Sequence, residues 1–200
     1  MTPQQLSAAL PPNSWLDQAV ARVSGEPAAI AALFPAVGRH CGRAPLPDAP
    51  GWTADDAARV VLLAALPLRG SELAAEVQAL YRYGDAAEKR AVLRGLAWLD
   101  LEGSCVDLLH DALRTNDTRL VAAALGGYAR HLDDASWRQG VLKCVFMSIP
   151  LAGIDGLTER ADAELVRMLA GLDDERRAAG REMPADAVEL LSRLTPEKVV

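Results

Sequence analysis

Apolar and polar residues follow a helical period along most of this chain, broken at short intervals by glycine, proline and Asx pairs. Pro11 and Pro12 precede an amphipathic stretch from Ser14 to Val23, and Glu26 with Pro27 opens a second that ends near Gly38. Residues 38–52, GRHCGRAPLPDAPGW, lose the period and predict a Gly/Pro-rich linker. From Thr53 the period resumes. Thr53 with Asp56 predicts a near capping box ahead of DAARVVLLAAL. Gly70-Ser71, Gly84-Asp85, Gly103-Ser104 and Asn116-Asp117 then start successive helices, and Asp134 caps ASWRQGVLKCVFM. The glycine pair Gly126-Gly127 falls inside the helix that begins near Asp117, where it reads as a place of close packing.

The last quarter follows a different plan. Residues 141–162, VLKCVFMSIPLAGIDGLTERAD, run apolar around a single lysine, Lys143, break at Ile149-Pro150 and end in charge. Asp162 predicts the cap of a long helix whose Leu165, Met168, Leu169 and Leu172 share a face, and Gly180 predicts its stop. Pro184 opens a final helix with Val188, Leu191 and Leu194 expected inward.

Between these regions a weak repeat is legible. Arg59-Val60-Val61-Leu62, Arg90-Ala91-Val92-Leu93 and Arg119-Leu120-Val121-Ala122 each set an arginine before an apolar triplet, and the helices between them also resemble one another. A two-helix unit of about 30 residues cannot bury its apolar face alone and stacks on its neighbours. The fold expected is all-α: a right-handed α-solenoid-like array of antiparallel helix pairs, HEAT-like, with a C-terminal capping helix pair. A plain helical bundle is the alternative. The expected organisation is an N-terminal helical pair over residues 1–37, the linker over 38–52, a helical-repeat body over 53–148 and a cap over 149–200. Residues 53–200 are expected to form one domain with 1–37 packed on it.

Composition narrows the function. Two hundred residues, half of them hydrophobic and only 4% aromatic, suffice for a core without disulfides. A net charge of -6 with scattered basic residues argues against a nucleic-acid surface and against anionic lipid. The N-terminus lacks the basic start and apolar core of a signal peptide, and Val60–Leu68 is too short to span a bilayer. Cys41, Cys105 and Cys144 are widely spaced without a second metal-ligand cluster and read as reduced, so the expected compartment is the cytoplasm. No cofactor motif, metal site or catalytic set is recognisable.

Eight residues stand out as ligand- or partner-binding candidates. Lys143 either snorkels to solvent or meets Asp155 or Glu159 when the chain reverses after Pro150, since an ammonium in a dry setting requires a partner. Arg160 could then hold a phosphate or carboxylate. His110 lies on an apolar helical face and reads first as a core histidine; His131 ends a helix, where its charge favours the negative terminus. Trp98 and Trp137 suit either a core or a binding groove. His40 beside Cys41 is a poor dyad, because neighbours on an extended chain point apart. The run Asp173–Arg177 reads as a solvated face.

The C-terminal stretch also carries a family resemblance. Trp137 followed by Val141, Leu142, Lys143 and Phe146, then Ile149-Pro150-Leu151, then Ile154–Leu157 with Arg160, and finally Glu175–Arg181 make this chain resemble the EboA family of bacterial metabolite-traffic proteins. The resemblance implies neighbouring genes for a membrane prenyltransferase-like protein and several soluble enzyme-like proteins, joined in making or moving a secondary metabolite. No catalytic signature travels with it. The expected function is a non-enzymatic helical accessory or scaffold protein that binds partner proteins of the same pathway or a small metabolite. The alternative is an enzyme with a polar pocket around Lys143, Asp155 and Arg160.

Overall fold

The computed structural model describes residues 1–195, and among them the chain is built from helices, with a lone antiparallel bridge between Pro45 and Thr53. In order these are α1 (Pro3–Ala9), α2 (Ser14–Gly25), α3 (Ile30–His40), α4 (Ala54–Ala64), α5 (Gly70–Tyr83), α6 (Ala86–Gly95), α7 (Val106–Arg114), α8 (Thr118–Ala124), α9 (Asp134–Phe146), α10 (Leu157–Arg160), α11 (Ala163–Ala178) and α12 (Ala185–Leu194). The chain divides into two compact units, Met1–Leu108 and a second that starts at Leu109.

In the first unit α4 is the central element. Every residue from Ala54 to Val60 is buried, including Asp55, Asp56 and Arg59. Helices α1, α2, α3 and α6 pack around it, and α5 packs on α6. The α4–α6 approach is close because Gly95 has no side chain: a methyl there would sit 2.8 Å from Leu63 Cδ1. Helix α1 has no counterpart in the periodicity reading. Its signal is a capping box, Thr2 Oγ1 accepting from the Gln5 amide at 3.2 Å while the Gln5 side chain accepts from the Thr2 amide at 2.8 Å. Residues 42–53 fold back on themselves through hydrogen bonds from Leu46 N to the Trp52 carbonyl and from Ala54 N to the Ala44 carbonyl. Their Leu46 and Ala49 join Leu6, Ala57 and Val60 in one apolar cluster.

The second unit is organised on α9, whose Trp137, Val141 and Cys144 are wholly buried. Helices α8 and α11 pack against it, and α12 packs on α11. Gly140 admits Leu125 and Leu113 to the α9 backbone, since a methyl there would lie 2.9 Å from Leu125 Cδ2. The expected long helix through Gly126-Gly127 does not form: α8 stops at Ala124, and a 3-10 turn runs from Gly127 to His131. Asp133 rather than Asp134 caps α9, accepting from the Ser136 amide at 2.8 Å. Asp162 caps α11 as expected. Val188 is the exception on α12; it lies at the surface, and the buried positions are Ala187 and Leu190. Residues 196–200 of the expected cap lie outside the described residues.

Among the described residues no helix is long and apolar enough to cross a membrane.

Candidate functional site

The reversal after Pro150 is fixed by backbone bonds. Helix α9 ends with Ser148 at φ +56, its Ile149 amide donating to the Cys144 carbonyl at 2.8 Å, the pattern of a left-handed helix stop. The chain then makes a 3-10 turn over Leu151–Gly153, whose Leu151 amide is held by Asp186 Oδ2 of α12 at 2.8 Å. The Asp155 amide donates to the Leu125 carbonyl at 2.9 Å. This frame aims α10 and Arg160.

Arg160 is the most heavily bonded of the candidates. Its Nη1 donates to the Ala129 carbonyl at 2.9 Å, and Nη2 donates to the Leu132 carbonyl at 2.9 Å and to Asp134 Oδ1 at 2.7 Å. The same guanidinium lies 4.8 Å from the centroid of the Trp137 ring. Trp137 is fully buried, and its indole N–H finds no acceptor among the described residues. His131 ends the 3-10 turn that contains Ala129 and is followed by Leu132, and its ring is tilted against Tyr128 at 4.6 Å. The structure therefore brings Arg160, Trp137 and the His131 turn together.

Lys143 takes neither expected course. Half-buried, it donates from Nζ to the Leu113 carbonyl at 2.7 Å, in the last turn of α7, where the helix dipole favours a cation. Asp155 and Glu159 are exposed. His110 is half-buried. Trp98, in the first unit, ends a 3-10 turn and is 43% exposed. Next to Lys143, burial pushes the Cys144 thiol up to about 12, against a small opposing effect of the ammonium, so Cys144 is no nucleophile at neutral pH.

A second charged constellation, in the first unit, is not among those eight residues. Asp55 and Arg59, one turn apart on α4, pair at 2.9 Å with both side chains 1% exposed. Arg59 also donates from Nε to the Phe34 carbonyl at 3.2 Å and lies over the Phe34 ring. Asp56, equally buried, accepts from Arg90 and Arg94 of α6 at 2.9 and 3.1 Å. Arg94 is stacked on Trp52, its guanidinium carbon 3.4 Å from the ring centroid, and donates also to the Gly51 carbonyl at 2.9 Å. Thr53 does not complete a capping box with Asp56. Its hydroxyl donates to Asp55 Oδ1 at 2.7 Å, because Asp56 is turned into the α4–α6 seam. Burial raises the Asp55 pKa, but the hydrogen bonds from Thr53 and Arg59 and the charges of Arg59 and Arg90 outweigh it, so the carboxyl titrates below the usual range.

A signal for this network was present in the sequence. Asp55 and Arg59 stand four apart within an otherwise apolar helix, and Arg59 and Arg90 hold the same place in the repeat. That place differs in use: Arg59 is buried, Arg90 crosses from α6 to α4, and Arg119 pairs with its own helix cap, Asp117, at 2.7 Å.

Chemically, both constellations set a guanidinium against an aromatic ring, Arg94 on Trp52 and Arg160 on Trp137. No curated protein and no solved structure matches the chain. The family model described as metabolite traffic protein EboA matches residues 45–192, and the chain belongs to the EboA family.

Proposed function

We propose that this protein is a non-enzymatic, cytoplasmic accessory protein for the biosynthesis or traffic of a secondary metabolite, acting by binding partner proteins of the pathway or the metabolite itself. The observation that carries this reading is the match of a metabolite-traffic family over residues 45–192. The side-chain geometry agrees with it: Lys143 and Arg160 end on backbone carbonyls, and Cys144 is held as an inert thiol.

With this function goes a HEAT-like, right-handed array of helix pairs as the scaffold. Its support is local, in that α4 and α6, which carry the repeated arginine, pack directly on each other while α5 packs on α6. The proposed organisation remains an N-terminal helical segment 1–37, a connecting segment 38–52, a repeat body 53–148 and a cap 149–200. Of the eight candidates, Asp155 and Glu159 in the second unit and Trp98 in the first are exposed and are assigned to partner contact, each unit by itself; Arg160, His131, His110 and Lys143, with the buried Trp137 beneath Arg160, support Asp155 and Glu159 within the second unit.

The test is deletion of the gene in its source organism, with metabolite profiling of separated cell fractions. One pathway intermediate should accumulate or change compartment, and complementation should restore it. An unchanged profile, or turnover of a pathway intermediate by the purified protein alone, would overturn the reading.

A further inference from the structure

The buried network of the first unit holds more cation than its own carboxylates neutralise. Asp55 is matched by Arg59, but Asp56 alone faces two guanidiniums, Arg90 and Arg94. Arg43 adds a further exposed guanidinium nearby, since a methyl group on Gly38 would lie 3.3 Å from its Nε and 3.6 Å from Arg59 Nη2. A chain of net charge -6 has thus gathered arginines at one place. Two like charges that share one carboxylate repel each other, and the pair keeps positive charge that Asp56 alone does not neutralise.

The two arginines are also unevenly used. Arg90 gives Nε to Asp56 and makes a long contact of 3.5 Å from Nη2 to Thr53 Oγ1; Arg94 gives Nη1 to both Asp56 and the Gly51 carbonyl. The other nitrogens, Nη1 of Arg90 and Nε and Nη2 of Arg94, have no acceptor among the described residues. Asp56 is sealed at 1% exposure, whereas Arg90 and Arg94 keep 19% and 22% of their side chains open. Their immobilisation has a cause on each side. Asp56 grips both from below, and Trp52, whose indole joins the apolar cluster of Leu6 and Ala57, fixes the plane of Arg94. Guanidiniums held this way lose little rotamer entropy when they donate to a ligand.

We propose that Arg90 and Arg94, held by Asp56 and Trp52, form a binding site for the oxyanion of a small organic molecule, a carboxylate or a phosphate ester. The planar donors match either group through paired N–H bonds. That this molecule is the metabolite of the pathway rests on the function proposed above; the site itself does not.

The experiment is calorimetric titration of the full chain with inorganic phosphate and with malonate, at ionic strength held constant with chloride. Saturable binding is expected, at least tenfold weaker in Arg90→Gln and in Arg94→Gln, and unchanged in Arg119→Gln, whose side chain pairs with Asp117 in the other unit. Absence of saturable binding in the wild type overturns the proposal, as does binding that both α6 variants leave intact. Should those variants fail to fold, the wild-type protein decides by NMR. Phosphate or malonate must shift the Arg90 and Arg94 Nε–H and Trp52 indole signals, and shifts confined elsewhere overturn the site. Anion binding here together with an unchanged metabolite profile in the deletion strain would remove the traffic reading and leave the site standing.

Discussion

Asp55 and Arg59 form an ion pair at 2.9 Å in which both side chains are 1% exposed, inside the helix around which the first unit is packed. The pair is not a device of net stability, because two desolvated charges recover little more than they lose. Removing one partner is a different matter. Asp55→Ala leaves Arg59 buried without its counter-ion and is expected to destabilise the unit by about 3–5 kcal/mol, whereas Asp55→Leu with Arg59→Met is expected to be close to neutral. Urea unfolding followed by hydrogen exchange at the α4 amides checks both. A single variant as mild as the double would show that Arg59 finds another counter-charge.

Arg160 closes the second unit in a comparable way at lower burial. Its guanidinium joins the Ala129 and Leu132 carbonyls and covers Trp137. Arg160→Ala is expected to cost about 2–3 kcal/mol through the lost charge-assisted bonds and cation–π contact. Arg160→Lys should recover only part, since an ammonium lacks the planar fork that spans two carbonyls. Trp137 emission provides the readout, with an unaltered spectrum and midpoint in Arg160→Ala counting against the arrangement.

The sequence made most of this architecture legible and hid its electrostatic centre. Helix starts such as those at Gly70 and Asp162 follow from glycines and caps, because those signals are local. The break at Gly126-Gly127 is hidden for the opposite reason: alanine and glycine leave the period intact, and the contact of the Ala129 and Leu132 carbonyls with Arg160 is tertiary, with no local signal. Lys143 was legible as an anomaly, but its partner is a backbone carbonyl of Leu113, and carbonyls carry no sequence signature. Asp56 reads with Thr53 as a near capping box, and only the packing of α3 and α6 over α4 buries it together with Asp55.

Ser148 ends α9 at φ +56, a conformation in which a side chain is strained and glycine is not. Its side chain is exposed, so no packing is lost on truncation. Ser148→Gly is therefore expected to stabilise the second unit by about 0.5–1 kcal/mol, and Ser148→Val to destabilise it. Thermal melts of the two variants should move in opposite directions; a destabilised glycine variant would mean that the Ser148 hydroxyl bonds in solution.

The three thiols should separate cleanly under a thiol reagent at pH 8. Cys105 and Cys144 are fully buried, and burial raises the pKa of both, that of Cys144 to about 12. Cys41 is only half-buried; burial raises its pKa as well, against the pull of Arg59. Slow modification confined to Cys41 is expected for the native protein, and all three should react in denaturant. Mass mapping of the labelled peptides reports the sites, and early labelling at Cys144 would contradict the packing of α9.

Acid weakens the fold through the carboxylates that arginine holds, at pH values below those at which ordinary carboxylates protonate. The hydrogen bond from Arg119 is the largest influence on Asp117, and with the Arg119 and Leu120 amides it holds the carboxyl at about 2, below its ordinary 3.8. A group depressed on folding stabilises the native state at pH values above its unfolded pKa, and that contribution disappears as the pH falls through the folded one. The Asp117 contribution is thus complete above 3.8 and lost as the pH approaches about 2. The Arg59-bonded Asp55 and the Arg138-bonded Asp162 are lowered in the same sense and add to the loss. Carboxyl titration by NMR should place Asp117 at about 2, and Arg119→Gln should return it toward 3.8 while reducing the dependence of stability on pH in that window. An unshifted Asp117 in the wild type would show that the Arg119 pair is not kept in solution.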